Sequence, residues 1–338
     1  MMKYTVAIIG CGWIGVGAQL DPSRPAPASH SAAINDNKYL ELTALVDSSK
    51  SALCKAKELY PKVAQYNSAE ELFDNNIPDA VIIATEESTH VDNIIISSNA
   101  GVKAILCEKP ISNDIKNAET AINICAKNNT CLIINHMRRF DPLIQKFQSY
   151  ISGDYVKDTS IGEPRKVIAS YDSTLYHGGT HTIDLLQQFF GDVISVKAVL
   201  PRNKDGTENI ESPDALIQFK DLNVLLYQID SREVAICEVT IIGDKGIIRI
   251  RDMMGGAIDV INTKTSPDFT NHKMPDYSNS KTFSNESNSY MTGTYKHLLN
   301  CLKNKITTCE SSYSALKTIK IIEAIKESSK DSSIKLIE

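Results

Sequence analysis

Five short apolar runs, each set off from the next by a segment of helical periodicity, occupy the first 135 residues. The runs are Tyr4–Ile9, Leu42–Val46, Ala80–Ala84, Ala104–Cys107 and Cys131–Asn135. They show little polar/apolar alternation, so each must bury both faces. Continuous apolar strands separated by helices predict a parallel sheet covered on both sides. The helical segments are Lys50–Leu59, Ser68–Asn75, His90–Ala100 and Asp114–Lys127. After His136 the rhythm changes. A helical stretch, Pro142–Ile151, leads into strand candidates Arg165–Tyr171, Ile194–Leu200, Ala215–Phe219, Val224–Ile229, Ala235–Ile242 and Gly246–Arg251, interrupted by one helix, His181–Phe190. Short turns such as Gly243-Asp244-Lys245-Gly246 predict a mostly antiparallel sheet. Two closing helices, Tyr295–Lys303 and Tyr313–Ser328, complete an α/β chain, and the polar stretch Thr263–Asn288 reads as an exposed loop or arm. The expected domains are 1–135 and 136–338.

Composition narrows the function. A chain of 338 residues has room for about two domains. Thirty-six Lys and Arg against 41 Asp and Glu leave a net charge of −5, without the basic field that non-specific nucleic-acid binding needs. No apolar run approaches the ~20 residues of a membrane span, and Met1-Met2-Lys3-Tyr4-Thr5 runs straight into a strand without an export-signal pattern. Neither a nucleic-acid nor a membrane partner is expected. The eight cysteines, Cys11, Cys54, Cys107, Cys125, Cys131, Cys237, Cys301 and Cys309, include no CxxC pair and no Cys/His cluster at zinc spacing. No metal site is expected. Reduced thiols filling core space, in a cytoplasmic protein, are.

The first strand runs directly into Gly10-Cys11-Gly12-Trp13-Ile14-Gly15. At the head of an alternating α/β region, this GxGxxG pattern predicts a Rossmann dinucleotide site. The first glycine permits a tight turn, the second admits a pyrophosphate close to the backbone, and the third lets helix pack on strand. Trp13 and Ile14 then join the glycines as cofactor contacts. Asp47 ends the second strand, where its carboxylate can accept hydrogen bonds from ribose hydroxyls and repel a 2′-phosphate. It therefore favours NAD over NADP. Gly10 and Asp47 lie 37 positions apart, well beyond the usual ~20. The excess is Val16–Ser29, whose three prolines, Pro22, Pro25 and Pro27, cannot continue a helix. It is either a surface insertion or a flap offering Arg24 to an anionic group.

Three further segments carry chemistry: Ala84-Thr85-Glu86-Glu87-Ser88-Thr89-His90 after the third strand, Cys107-Glu108-Lys109-Pro110 after the fourth, and Gly178-Gly179-Thr180-His181-Thr182-Ile183-Asp184 in the second half. With the glycine loop and Arg138-Arg139-Phe140-Asp141-Pro142, they resemble the glucose–fructose oxidoreductase / inositol dehydrogenase (Gfo/Idh/MocA) family over nearly the whole chain. The resemblance implies an N-terminal Rossmann domain and a C-terminal α/β domain on a large, open, mostly antiparallel sheet. It also implies a homodimer or homotetramer packed through that sheet, and hydride exchange between a nicotinamide cofactor and a sugar, nucleotide-sugar or cyclitol.

Carried over position by position, Lys109 matches the family's active-site lysine and His181 its catalytic histidine. Histidine, with an unperturbed pKa of about 6.5, suits removal of a hydroxyl proton, and an ammonium suits stabilisation of the developing alkoxide. Asp184, one helical turn after His181, could orient the histidine or bind a neighbouring hydroxyl. Thr85, His90, Glu108 and Lys109 fall in the cofactor set; Arg139, Lys109, His177 and Asp184 fall in the substrate set, and His177 and Asp184 join Lys109 and His181 in the catalytic set. Each taken alone has an ordinary alternative: a surface lysine, a hydrogen-bonded core histidine, an acid at a helix start, an interdomain salt bridge for Arg139, packing for His90.

Two positions depart from the family. His177 stands four residues before His181, where many members carry an acid; Tyr176 and Asp172 are near enough in sequence to compensate. Glu86 stands where proline usually follows Ala-Thr. Two other functions share these motifs: an NAD-dependent glycosidase working by transient oxidation, and a non-catalytic NAD-binding regulator. Selectivity is expected from Arg24, Arg139, His177 and the stretches Lys157–Glu163 and Thr263–Asn288.

Overall fold

The computed structural model describes residues 3–151, 161–199, 212–251, 256–284 and 291–337, without the side chains of residues 149 and 150. Leu200, positions 157–160 of the Lys157–Glu163 stretch and 285–288 of the Thr263–Asn288 stretch lie outside the described residues. The chain divides into two compact units, residues 1–140 with 287–319, and residues 141–286 with 320–338.

Unit 1 opens with β1 (Tyr4–Ile9), α1 (His30–Asn35), β2 (Leu40–Val46), α2 (Lys50–Leu59), β3 (Ala64–Tyr66) and α3 (Ala69–Asn75). It continues through β4 (Ala80–Ile83), α4 (His90–Asn99), β5 (Ala104–Cys107), α5 (Ile115–Lys127) and β6 (Cys131–Ile134). All six strands pair in parallel, in the order β3-β2-β1-β4-β5-β6. Every residue of β4, β5 and β6 is buried, as their unbroken apolar runs require. Ser49, Ser68 and Asp114 cap α2, α3 and α5, each accepting from a backbone N–H three residues on. The short β3 escaped prediction, because its three residues keep partial or full exposure and show no apolar run.

Unit 2 begins with α6 (Pro142–Ile151), β7 (Pro164–Asp172), α7 (Thr180–Phe190), β8 (Val193–Val199), β9 (Asp214–Phe219) and β10 (Asn223–Ile229). Then come β11 (Val239–Gly243), β12 (Gly246–Arg251), β13 (Ala257–Thr265), β14 (Lys273–Pro275) and β15 (Lys281–Ser284). The final helices are α8 (Met291–Asn304) and α9 (Glu310–Asp331), followed by β16 (Lys335–Leu336). The sheet runs β14-β13-β12-β11-β7-β10-β9-β8-β16, with β15 also on β13. Only β7 and β10 pair in parallel; the other pairs are antiparallel. One face is the core, where Val167, Ala169, Ile217, Phe219 and Leu226 meet Ile183 and Leu186 of α7 and Ile322 and Ile325 of α9.

Two expectations need correction. Thr263–Asn288 contains strand, not only loop: β13 reaches Thr265, and both β14 and β15 pair with it. No residue of β14 or β15 is buried, so no alternation marked them. The closing helices also divide differently from the 136–338 expectation. Met291, Tyr295, Leu298 and Leu302 of α8 share a core with Val6, Ile8 and Ile133, and the unit boundary falls inside α9, after Ile319.

Candidate active site

The cofactor end of unit 1 is built by contacts that leave little choice at two glycines. Gly10 has φ +102°, and a side chain there would meet the Ala84 backbone at 2.5 Å. A Cβ on Gly15 would lie 2.0 Å from the Gly10 carbonyl oxygen. At Gly12, by contrast, a Cβ would meet nothing within 4 Å. In glycine-loop dinucleotide sites the second glycine is the one that lets a pyrophosphate approach the backbone. The loop is anchored by Asp47, whose two carboxylate oxygens accept the Cys11 N–H at 2.7 Å and the Ser49 N–H at 2.8 Å. Cys11 is packing: burial and then the Asp47 charge push its thiol up to about 12, so it stays protonated.

The expected helix does not follow the glycines directly. Residues 13–16 form a turn, Gly17–Leu20 a 3-10 turn, and the proline-rich segment leaves the helical path. The path resumes at α1, where the His30 N–H donates to the Ile14 carbonyl at 3.0 Å and the Ser31 N–H to Gly15 at 2.9 Å. The insertion is therefore a loop spliced into the first helix. It folds back on the glycine loop, with the Arg24 guanidinium 5.6 Å from the centre of the Trp13 ring. Trp13 is 55% exposed, and Arg24 also lies 3.8 Å from Asp21.

Thr85 and Lys109 follow β4 and β5, at the carboxyl ends of the strand beside β1 and of the next one. This is where ligands bind in doubly wound sheets, at the reversal of strand order between β1 and β4. Thr85 and Lys109 are both half-buried, and the Thr85 hydroxyl accepts from Thr89 at 2.8 Å. His90 is buried and ties the two loops together, with Nδ1 2.7 Å from the Pro110 carbonyl oxygen and Nε2 3.1 Å from that of Thr85.

Beside Lys109 lies a buried polar network whose other members have no signal in the local sequence. Glu108 Oε1 accepts from His30 Nε2 at 3.0 Å and from Asn135 Nδ2 at 2.7 Å. Thr294 of α8 donates to Asn135 at 3.0 Å, and the Tyr295 hydroxyl lies 3.0 Å from His30 Nδ1. Burial pushes the Glu108 carboxyl up, but the hydrogen bonds from His30 and Asn135 and the charge on Lys109 hold it below its usual range. Arg139, placed in the substrate set by sequence, is 8% exposed. Its guanidinium donates to Ser314 at 2.5 Å and lies 3.5 Å from Glu310.

In unit 2, β7 ends at Asp172, and Thr174 caps a π-helical turn, Leu175–Gly179, that leads into α7. Gly178 packs against Asp172, since a Cβ there would stand 2.1 Å from its carboxylate. His181 and Asp184 are buried on α7, 9% and 1% exposed. His177 is exposed, and its N–H donates to the Thr174 side chain at 3.2 Å. The neighbouring Tyr176 hydroxyl donates to Glu323 of α9. Among the described residues, no group of three or more His, Cys, Asp or Glu side chains is arranged to hold a metal ion, and no helix is long and apolar enough to cross a membrane.

A parallel sheet in this order, with a glycine turn after its first strand, defines an NAD-binding Rossmann unit, here joined to an α/β unit on a mostly antiparallel sheet. The chain belongs to the Gfo/Idh/MocA oxidoreductase family. The family's NAD-binding Rossmann domain matches residues 4–136 and its C-terminal α/β domain residues 169–336. A D-apiose dehydrogenase from Paraburkholderia graminis is 25% identical over 217 residues, 59% of this chain and 53% of that enzyme, so the chain spans about half the length of that relative. A scyllo-inositol 2-dehydrogenase (NADP(+)) from Bacillus subtilis is 20% identical, over 84% of this chain and 86% of that one. Among solved structures, an oxidoreductase from Agrobacterium radiobacter in complex with NAD+, L-tartaric acid and magnesium shares the fold at TM-score 0.75 and 19% identity, covering 99% of both chains.

Proposed function

We propose that this chain is an NAD-dependent dehydrogenase or reductase acting on a secondary alcohol or ketone of a sugar, nucleotide-sugar or cyclitol. The observation that carries the reading is the arrangement in unit 1. The open approach at Gly12, the Asp47 anchor, Thr85 and Lys109 all stand at the carboxyl ends of adjacent strands. Gly10, Gly12, Trp13, Ile14 and Gly15 would hold the pyrophosphate and its surroundings, and Asp47 the adenosine ribose; Thr85, His90 and Glu108 would shape the nicotinamide end. NAD, when bound, supplies the hydride acceptor or donor.

The chain's own residues handle the proton and the charge. Lys109, next to the buried Glu108 carboxyl, offers its ammonium group to an alkoxide-like oxygen. His181, on a buried turn of α7, takes or returns the hydroxyl proton, and Asp184 orients it. His177, in the place of the usual acid, serves as a second polar group toward the substrate. The names of the relatives, D-apiose dehydrogenase and inositol 2-dehydrogenase, support a polyhydroxylated substrate.

The outward face of the unit 2 sheet supports a homo-oligomer. The strand register puts Asp259, Arg249, Thr240, Ile168, Leu225, Leu216 and Lys197 in one row. Within it Ile168, Leu225 and Leu216 are consecutive, exposed and apolar, at 40%, 46% and 42%. An apolar centre with charged ends is the anatomy of a protein interface, and we assign it to a second copy. Leu225→Glu should convert a dimer or tetramer to a monomer by light scattering; an unchanged mass would reject this face. All eight cysteines are free, which supports a reducing, cytoplasmic setting.

The activity is tested by incubating the purified protein with NAD and a panel of inositols, pentoses and nucleotide-sugars. Absorbance of NADH that rises with one of them supports the reading. Release of free sugar without net NADH would instead indicate the glycosidase, and NAD binding without turnover the regulator.

A further inference from the structure

Cys301 and Cys309 share one histidine in unit 1, and Cys131, distant in sequence, joins them; the reading above gives none of the three a role. His297 and Cys301 stand four residues apart on one face of α8. Cys131 opens β6 and Cys309 immediately precedes α9. His297 Nε2 lies 3.3 Å from the Cys309 sulfur and 3.5 Å from that of Cys301. The Ser311 hydroxyl lies 3.1 Å from the Cys309 sulfur, and Phe140 stacks on the imidazole at 4.7 Å. A filling of core space would need neither the polar partners nor the ring nitrogen shared between two sulfurs.

The cluster is polarised. Hydrogen bonds with Cys301 and Cys309 push the His297 imidazole up to about 10, against its burial. A hydrogen bond from Cys131 holds the Cys309 thiol below the ordinary thiol range against its burial, with His297 and Ser311 adding to it. Both directions, with the 3.3 Å contact between them, favour a thiolate on Cys309 beside an imidazolium on His297. Cys309 also sits at the start of a 22-residue helix, where the local backbone favours a negative charge. Cys131 is fully buried and Cys301 nearly so, whereas Cys309 keeps 7% exposure and follows the exposed residues Thr307 and Thr308.

We propose that Cys309, His297 and Cys301 form a hydroperoxide-reactive thiol site whose oxidised state is a Cys301–Cys309 disulfide. The Cys309 thiolate attacks one peroxide oxygen, forming the S–O bond as the O–O bond breaks. The departing hydroxide takes the His297 proton and leaves as water, so sulfur is oxidised to the sulfenic acid and the peroxide is reduced. The Cys301 sulfur then attacks Cys309. The S–S bond forms, the S–O bond breaks, and the sulfenic hydroxyl leaves as a second water with the Cys301 proton.

The test uses the full chain, with Cys54, the exposed cysteine of α2, as an internal reference thiol. The protein is treated at neutral pH with hydrogen peroxide at less than one equivalent, alkylated under denaturing conditions and digested with trypsin without reductant. Trypsin separates His297–Lys303 from Ile306–Lys317, so the disulfide appears as these two peptides joined. The expected result is the joined pair, 2 Da lighter than the sum of the reduced peptides, formed before Cys54 loses its free thiol. In a folded His297→Gln protein its formation should slow. Oxidation of Cys54 first, pairing of Cys309 with Cys131, or an undiminished rate in His297→Gln would overturn the proposal.

Discussion

The two units carry their candidate catalytic residues in opposite ways. Lys109 sits at a strand end in unit 1, next to a carboxylate bonded by His30 of α1 and Asn135 after β6, which Tyr295 and Thr294 of α8 hold in turn. His181 sits one residue into α7, after a π-helical turn packed on Asp172, so residues close in sequence build the turn that presents it. The first arrangement is long-range and depends on side chains more than 150 residues away; the second is local. The difference teaches that changes remote in sequence should reach Lys109 more readily than His181.

The largest effects test the residues themselves. Lys109→Ala and His181→Ala should each lower kcat about 10²- to 10⁴-fold on whichever polyol proves to be a substrate, with the folded signal in circular dichroism retained. Undiminished turnover in both would remove the assignment.

Next comes the network. Glu108→Ala leaves His30 and Asn135 buried without their carboxylate, and should cost about 3 kcal/mol in urea unfolding. The pH dependence has a definite sign. Because the folded carboxyl lies below its unfolded value of about 4.3, its contribution is present above that pH. It is lost as the pH falls through the lower folded value. The acid limb of a stability–pH curve should therefore be flatter in Glu108→Gln than in the parent. An equally steep limb would place the acid sensitivity elsewhere.

Smaller effects separate fold from binding within the glycine loop. Gly15→Ala drives a Cβ into the Gly10 carbonyl and should destabilise by about 1–3 kcal/mol. Gly12→Ala meets open space and should move Tm by no more than a degree or two. The smallest change is expected at Arg24, partly exposed beside Trp13. Arg24→Ala should leave stability within about 0.5 kcal/mol, and an affinity for substrate that is also unchanged would reduce the insertion to a surface loop.

What the sequence disclosed follows the same contrast between local and long-range. The apolar runs marked β1 and β5 to the residue, because a strand buried on both faces must be apolar throughout. The periodicity likewise marked α2 and α6 at both ends. The glycine loop was legible because its spacing is a local backbone requirement, and Asp47 because it directly follows the second apolar run. The network around Glu108 was not. His30 could have drawn attention as a histidine beside the buried apolar positions Ala33 and Ile34, but nothing near Asn135 or Thr294 says which residue each will meet. The helix after the glycines was misplaced for a related reason. The prolines showed where the helical path breaks, but its resumption at His30 rests on hydrogen bonds to Ile14 and Gly15 across the insertion. Around His297, only Cys301 stands at a helical spacing, four residues on along α8; nothing local marks Cys131 of β6 or Cys309 before α9 as its company.

The central claim is that the glycine loop holds NAD through the open approach at Gly12. Calorimetric titration of NAD into the parent protein and into Gly12→Val, with Tm recorded for both, tests it most directly. The account predicts saturable binding to the parent, weaker binding of NADP, and loss of at least tenfold in affinity in the variant with Tm nearly unchanged. Equal NAD affinity in both proteins, or no binding to the parent, would contradict it.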